Sequence, residues 1–325
     1  MKRKISRRNF MKGTAVVVAS GILAGCSGGG TPAASSSTSE KPENGASSAG
    51  SESEAPASSE TPSSSSESGN EPEKETSPWT YLIYEKSKKT AILTGYDASH
   101  PKAPKGNFTL PSEVDGYKIV KIGQEAFKDD LNITALEIPD SVQEIGTSAF
   151  DGCKKLAGTL VIPASVKTVS SYAFYGCRSL NKIVMLENEK QSGVSYIDFA
   201  AFSNCENVEN VKLASGLTYI ESKGFNSCFA LNNLVIPENR DGKEITIIHC
   251  AFEGCTSLVR VYIPRSVKKI DSPFTYPCCD KEIYYQGTEE EWNQLGIKSK
   301  MDIIGDGSKS YVVHYNAKPS DVAVE

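Results

Sequence analysis

Histidine and tryptophan are scarce in this 325-residue chain, with three and two copies. His100, His249 and His314 lie far apart, and no C-x-x-C pair occurs among the nine cysteines, so nothing has the spacing of a zinc site. Asp302 and Asp306 lack the spacing of a calcium loop, and no glycine-rich phosphate loop is present. His249 is followed directly by Cys250, and nothing nearby marks a base or an oxyanion site. The expectation is a protein that is not an enzyme and carries no cofactor and no metal. Long apolar runs are missing too: the stretch from Gly13 to Leu23 is too short for a permanent bilayer span. Between Ser27 and Pro78 there is no aliphatic side chain larger than alanine and no aromatic one, so that stretch cannot bury enough surface to offset its ordering entropy.

A basic balance is also lacking. The formal net charge is −5, and it becomes −11 once the six basic side chains of residues 1–25 are removed. Nucleic acid needs a basic footprint and is excluded as a partner. About seven of those negative charges fall between Ser27 and Pro78, which leaves roughly −4 for the rest.

The N-terminus has the parts of an export signal: basic residues, the apolar run and small residues. Leu23-Ala24-Gly25-Cys26 resembles the bacterial lipobox, which implies that Cys26 receives a diacylglycerol and anchors the chain to the membrane. Ser6 to Lys12, with Arg7 and Arg8, resembles a twin-arginine signal, whose translocase carries folded proteins; an ordinary secretory lipoprotein signal is the alternative. Residues 1–25 thus read as a signal peptide and 26–78 as the lipidated cysteine and a Ser/Glu-rich tether. A flexible chain of that length has an r.m.s. span of roughly 40 Å.

From Trp79 to Leu93 the composition switches to alternating Tyr, Ile, Leu and Thr, which predicts strand. Gly95, Pro101, Pro104 and Gly106 punctuate a loop, and Phe108 to Val120 reads as strand, turn, strand. Residues 79–116 are expected to form an N-terminal β cap.

Then a phrase recurs. Ile145 to Pro163 reads I-G-T-S-A-F-D-G-C-K-K-L-A-G-T-L-V-I-P, and copies align on Phe127, Phe150, Phe174, Phe202, Phe225 and Phe252, with a degenerate one at Phe274. The spacings run from 22 to 28 residues, a period at which no unit has a core of its own and each is stabilised by its neighbours. Ala149, Phe150, Cys153 and Leu156 have helical spacing and predict about one helical turn. Leu160-Val161-Ile162 predicts a strand with Val161 outward, and stacked strands give one parallel sheet with about 4.8 Å per coil.

The recurrence of Ala-Phe, Cys, Leu and Ile-Pro over about Tyr117 to Leu295 resembles the BspA-like leucine-rich repeats of bacterial surface proteins. That resemblance implies a right-handed solenoid with a parallel sheet on one face and short helical turns elsewhere, capped at both ends. It also implies a surface-displayed binding protein, with adhesion to host or other cells as its function; an envelope scaffold contacting a bacterial partner is the alternative. A solute-binding lipoprotein would need two α/β lobes around a cleft, which this β-rich pattern does not offer. Repeats occupy 117–282, and 283–325 form a C-terminal cap and a fraying tail. In that cap Thr288 and Glu291 make a capping box, Trp292 faces the last coil, and Tyr311 to Tyr315 adds a strand.

Cys153, Cys177, Cys205, Cys228 and Cys255 each follow the phenylalanine by three residues, which predicts a buried ladder of free thiols, with disulfides between rungs as the alternative. Cys278 and Cys279 sit near the seventh unit. The outward strand positions, Glu137, Val161, Val184, Lys212, Val235 and Tyr262, form the candidate binding face for a protein or polymer ligand. Beside them run Ala135, Thr159, Lys182, Asn210, Asn233 and Arg260, and extensions at Glu187 to Gly193 and Glu238 to Glu244 predict loops at the rim.

Overall fold

A computed structural model describes residues 77–275, 280–297, 303 and 310–322. The leader with Arg7 and Arg8, Cys26, the tether, Cys278, Cys279, Asp302 and Asp306 lie outside these residues.

The chain winds into a solenoid whose coils each contribute two strands, so there are two parallel faces where the repeat pattern predicted one. The first face is built from the dipeptide ahead of each turn. It runs Trp79–Glu85, Thr90–Tyr96, Tyr117–Ile122, Glu144–Ile145, Thr168–Val169, Tyr196–Ile197, Tyr219–Ile220, Ile245–Ile247, Val267–Ile270, antiparallel only at its first pair and where Glu113–Val114 joins Tyr117–Ile122. Thr90–Tyr96 carries Gly95 inside it, so this glycine belongs to a strand and not to the loop that follows.

The second face holds the longer strands in three sheets. Gly106–Thr109 pairs with Ile133–Glu137; Gly158–Ile162, Leu180–Met185 and Asn210–Lys212 form the second sheet; Asn233–Val235, Arg260–Ile263, Lys281–Tyr285 and Tyr311–His314 form the third. In Gly158–Ile162, Leu160 and Ile162 are buried and Val161 is exposed, the alternation that a one-sided core imposes on a strand.

Between the faces lies the phenylalanine corner, and here the predicted helical turn is replaced by consecutive tight turns. Within one coil Asp151 N–H donates to Ser148, Cys153 to Phe150 and Leu156 to Cys153, so a three-residue recurrence arises without a helix. Residues two before and two after the phenylalanine are left-handed: Ser148 and Gly152 around Phe150, Tyr172 and Gly176 around Phe174, Ala200 and Asn204 around Phe202. That conformation ends any helical run, and it explains the Gly, Asn, Asp or Ser found two residues after each phenylalanine.

What the corner loses in helical hydrogen bonds it regains between coils. The Phe150 N–H donates to Ala173 of the next coil at 2.8 Å, and Phe127, Phe174, Phe202, Phe225 and Phe252 each repeat that bond at 2.8 Å. Their rings stack on one another with centroids 5.1 to 5.5 Å apart, and Phe274 extends the column at 5.7 Å. At the N-terminal end the column is closed against Phe127 by Trp79 and Phe108 edge-on and by Tyr96 stacked. Close approach also fixes glycine at Gly146, where a Cβ would come within 2.7 Å of the Ile122 carbonyl oxygen.

Directly under the rings run the cysteines. Cys153, Cys177, Cys205, Cys228 and Cys255 are buried and free, and each Sγ donates to the phenylalanine carbonyl of the preceding coil at 3.1 to 3.4 Å. A small side chain with a weak donor fits here; at Phe150 and Phe174 that carbonyl already accepts the N–H of Cys153 and Cys177 in its own coil. Burial pushes the Cys153 and Cys205 thiols up to about 12 and raises Cys177 as well.

At the far end the helix Glu289–Gln294 carries the predicted capping box between Thr288 and Glu291, and Trp292 is buried against Tyr285 at 5.2 Å. Tyr311–His314 pairs in parallel with Lys281–Tyr285.

Replacing Phe174 with alanine removes a ring stacked on both sides, and denaturant unfolding should show a loss of about 3–5 kcal/mol. Alkylation at pH 8 followed by peptide mapping should leave the five ladder cysteines unmodified in the native protein and modify all of them once it is unfolded. The thiols' contribution to stability is complete below their ordinary value of 9.0 and is lost as pH rises toward about 12, because only the unfolded chain then releases the proton. The unfolding midpoint should therefore drop between pH 9 and 12, less so in Cys205→Ala.

Candidate functional site

Inner positions of every coil are committed to the core, so the outer rows of the long strands are the place to look for recognition. Strand register sets Val161, Val184 and Lys212 side by side, and Val235, Tyr262 and Tyr284 side by side one sheet further on. Beside them a second row holds Thr159, Lys182 and Asn210, then Asn233, Arg260 and Glu282. Glu137 opens the first row, exposed, with Thr109 Oγ1 donating to its carboxylate at 2.8 Å.

Five of the six candidate side chains are exposed or half-buried, with Val161 at 39%. Tyr262 is the correction: it is only 2% exposed. The tail expected to fray instead turns through Pro319–Asp321 and lays Ala317 and Val322 over the Tyr262 ring, with Val235 and Tyr284 at the edge of the cluster. The Tyr262 ring offers an apolar surface that this tail covers.

The remaining face divides into two grooves of opposite character. One, of about 400 Å³, lies over the first coils and has Glu137 and Asp140 beside Val161, Pro163 and Leu186. The other, of about 460 Å³, has Lys182, Lys212, Asn210 and Asn233 over a floor of Val211 and Val235, with Glu187, Leu213 and Pro237 at one rim and Val322 at another.

That rim is held firmly. Arg240 donates from Nη1 to the Asn188 carbonyl at 2.7 Å and from Nη2 to the Glu189 carbonyl at 2.8 Å, joining the two extension loops across more than fifty residues of sequence. Ser192 Oγ donates to Asp241 at 2.9 Å. Glu187 accepts from the Ser215 N–H at 2.8 Å and from its hydroxyl. Burial works to raise its pKa, but these bonds and the nearby Lys212 and Arg240 leave it lowered, so it stays ionised.

The other face was not singled out from the repeat phrase. Its outward residues are Lys121, Glu144, Thr168, Tyr196, Tyr219, Thr246 and Lys269. Lys121 pairs with Glu144 at 2.6 Å and lies 4.7 Å from the Tyr84 ring centroid, while Tyr196 and Tyr219 stack at 5.0 Å. The dipeptide before each corner, such as Lys121-Ile122 or Tyr219-Ile220, alternates outward and inward and was the available signal.

His249 Nδ1 lies 3.9 Å from Asp271 with both side chains about half exposed, whereas Cys250 is buried and its Sγ donates to Thr275 Oγ1 at 3.5 Å. Among the described residues no three His, Cys, Asp or Glu side chains are grouped as a metal site requires.

Coils of 22 to 28 residues, stacked in parallel and carrying an outward strand face, define a leucine-rich-repeat solenoid. The chain belongs to the BspA type leucine rich repeat region family, whose profile matches in six copies over residues 120–241 and 187–294, more than half of the sequence. The twin-arginine translocation pathway signal sequence matches residues 4–24, so the protein is an exported, extracytoplasmic repeat protein. No curated protein matches the chain. Among solved structures, the leucine-rich repeat protein TpLRR of T. pallidum is 24% identical and superposes with a TM-score of 0.51 over 70% of this chain and 100% of that one. A leucine-rich repeat protein from Bacteroides ovatus is 22% identical, with a TM-score of 0.40 over 74% of this chain and 67% of that one. At these identities the likeness concerns the fold alone.

Ending the chain at Tyr315 should uncover Tyr262. Hydroxyl-radical footprinting should show its modification rising several-fold while Tyr285, buried deeper in the core, stays protected; an unchanged Tyr262 would contradict the assigned cover.

Proposed function

We propose that this protein is anchored by a diacylglycerol on Cys26, held away from the membrane by residues 26–78, and recognises a protein or polymer ligand through the outer rows of its long strands. Residues 79–116 and 283–325 act as caps on the repeats at 117–282. Adhesion of the cell to a host surface or to other cells is the role that follows, and recognition without catalysis is its mode of action. Diacylation suits stable attachment, because two acyl chains hold where one is marginal.

The observation that carries this reading is the division of labour within each coil. Phenylalanine, cysteine and the inward strand residues are spent on the core, while Val161, Val184, Lys212 and Val235 stand in exposed or half-buried rows beside two grooves. An apolar strip flanked by polar and basic groups has the make-up of a recognition surface.

Cys26→Ser should release the protein from the membrane fraction, and protease treatment of intact cells should shed an intact repeat domain by cutting the tether. Charged replacements at Val184 and Val235 should abolish capture of material from host matrix or from neighbouring cells without changing the melting temperature. A domain that stays on shaved cells would favour an internal envelope scaffold instead.

A further inference from the structure

Several cations on this solenoid are matched by acids on the neighbouring coil. Lys121 meets Glu144, Lys128 meets Asp151, Arg178 meets Glu206, and Arg260 meets Glu282, all within 3.3 Å. The basic groove holds two lysines without such a pair. In its rows Lys182 lies between Thr159 and Asn210, and Val184 is the register neighbour of Lys212, so neither lysine faces an acid across the strands. Lys182, Asn210 and Asn233 make no side-chain hydrogen bond or ion pair among the described residues. Lys212 has only Glu187 nearby, whose carboxylate already accepts two bonds from Ser215.

We propose, building on the binding function above, that this groove is a subsite for an acidic polysaccharide whose rings carry carboxylate or sulfate. The Lys182 and Lys212 ammonium groups, neither of them in an ion pair among the described residues, supply the charge complementarity, and the half-buried valine floor suits the C–H face of a sugar ring. The amides of Asn210 and Asn233 both donate and accept, which suits hydroxyls that do the same. Groove chemistry separates a glycan from an acidic peptide: ring hydroxyls meet the Asn210 and Asn233 amides and a ring face meets Val211 and Val235, which a run of carboxylate side chains does not offer. The clamped loops at Glu187 and Arg240 hold the rim in place before the ligand arrives, which lowers the ordering cost of binding.

Binding of the full chain to polygalacturonate, dextran sulfate, neutral dextran and polyglutamate tests this, with Lys182→Gln/Lys212→Gln compared against Lys154→Gln/Lys155→Gln, an equal charge change on an exposed turn. Polygalacturonate or dextran sulfate should bind, and the pair of arms tells carboxylate from sulfate. Neutral dextran should not bind. The groove variant should lose affinity by at least about tenfold and the turn variant should keep it, with equal melting temperatures. Equal losses in the two variants would reduce the effect to general polyanion attraction and overturn the site. Tighter binding of polyglutamate would assign the groove to acidic peptides. No acidic glycan bound, with surface capture still sensitive to Val184 and Val235, would overturn the glycan subsite and leave the broader binding function standing.

Discussion

One hydrogen bond, from the phenylalanine N–H of each coil to the carbonyl of the next, sets the terms for everything else. It recurs six times at 2.8 Å, and at each of the six the residues two before and two after the ring are left-handed. The bond fixes the coils at one spacing, and that spacing puts the rings in a continuous column and each thiol within reach of the preceding carbonyl. No coil has a core without its neighbours, so the column must be closed at its ends. Trp79, Tyr96 and Phe108 do this at one end, and Phe274, Trp292 and Tyr285 supply the large buried rings toward the other.

Because the spacing is fixed, variation in repeat length has to be taken up where the ladders are not interrupted. Both long extensions leave after an outward strand, at Glu187 and at Glu238, and return before the next short strand. They then lock to each other through Arg240, Ser192 and Asp241. The length irregularity becomes a rigid wall beside the basic groove, and local change in the sequence becomes shape at the surface. The tail works on the same face from the other direction: covering Tyr262 ends the open row and makes Val322 a boundary of the groove.

Buried free thiols in an exported protein fit with a signal of the twin-arginine type. A chain that crosses the membrane after folding carries its cysteines already enclosed, and protonation against the low-dielectric core keeps them unreactive. The same enclosure accounts for five of the nine cysteines, which are repeat-register positions that call for a small side chain with a weak donor.

The sequence by itself determined the repeat, its period, the core identity of Phe, Cys, Leu and Ile, the capping box at Thr288 and Glu291, and the outward direction of Val161 and Lys212. Those properties follow from local chemistry repeated at a fixed interval, which a single chain displays directly. Helical spacing at the corner misled, because turns and helices share a three-residue recurrence and only the left-handed residues beside each phenylalanine distinguish them. The face of short strands needed the structure, since two-residue strands such as Glu144–Ile145 are too short to carry a pattern until their neighbours are stacked on them. Tyr262 was decided by a segment about sixty residues away, and the contrast between the acidic and basic grooves by which outward residues share a rim. Contacts of that kind depend on where the chain returns in space, and no local pattern encodes the return.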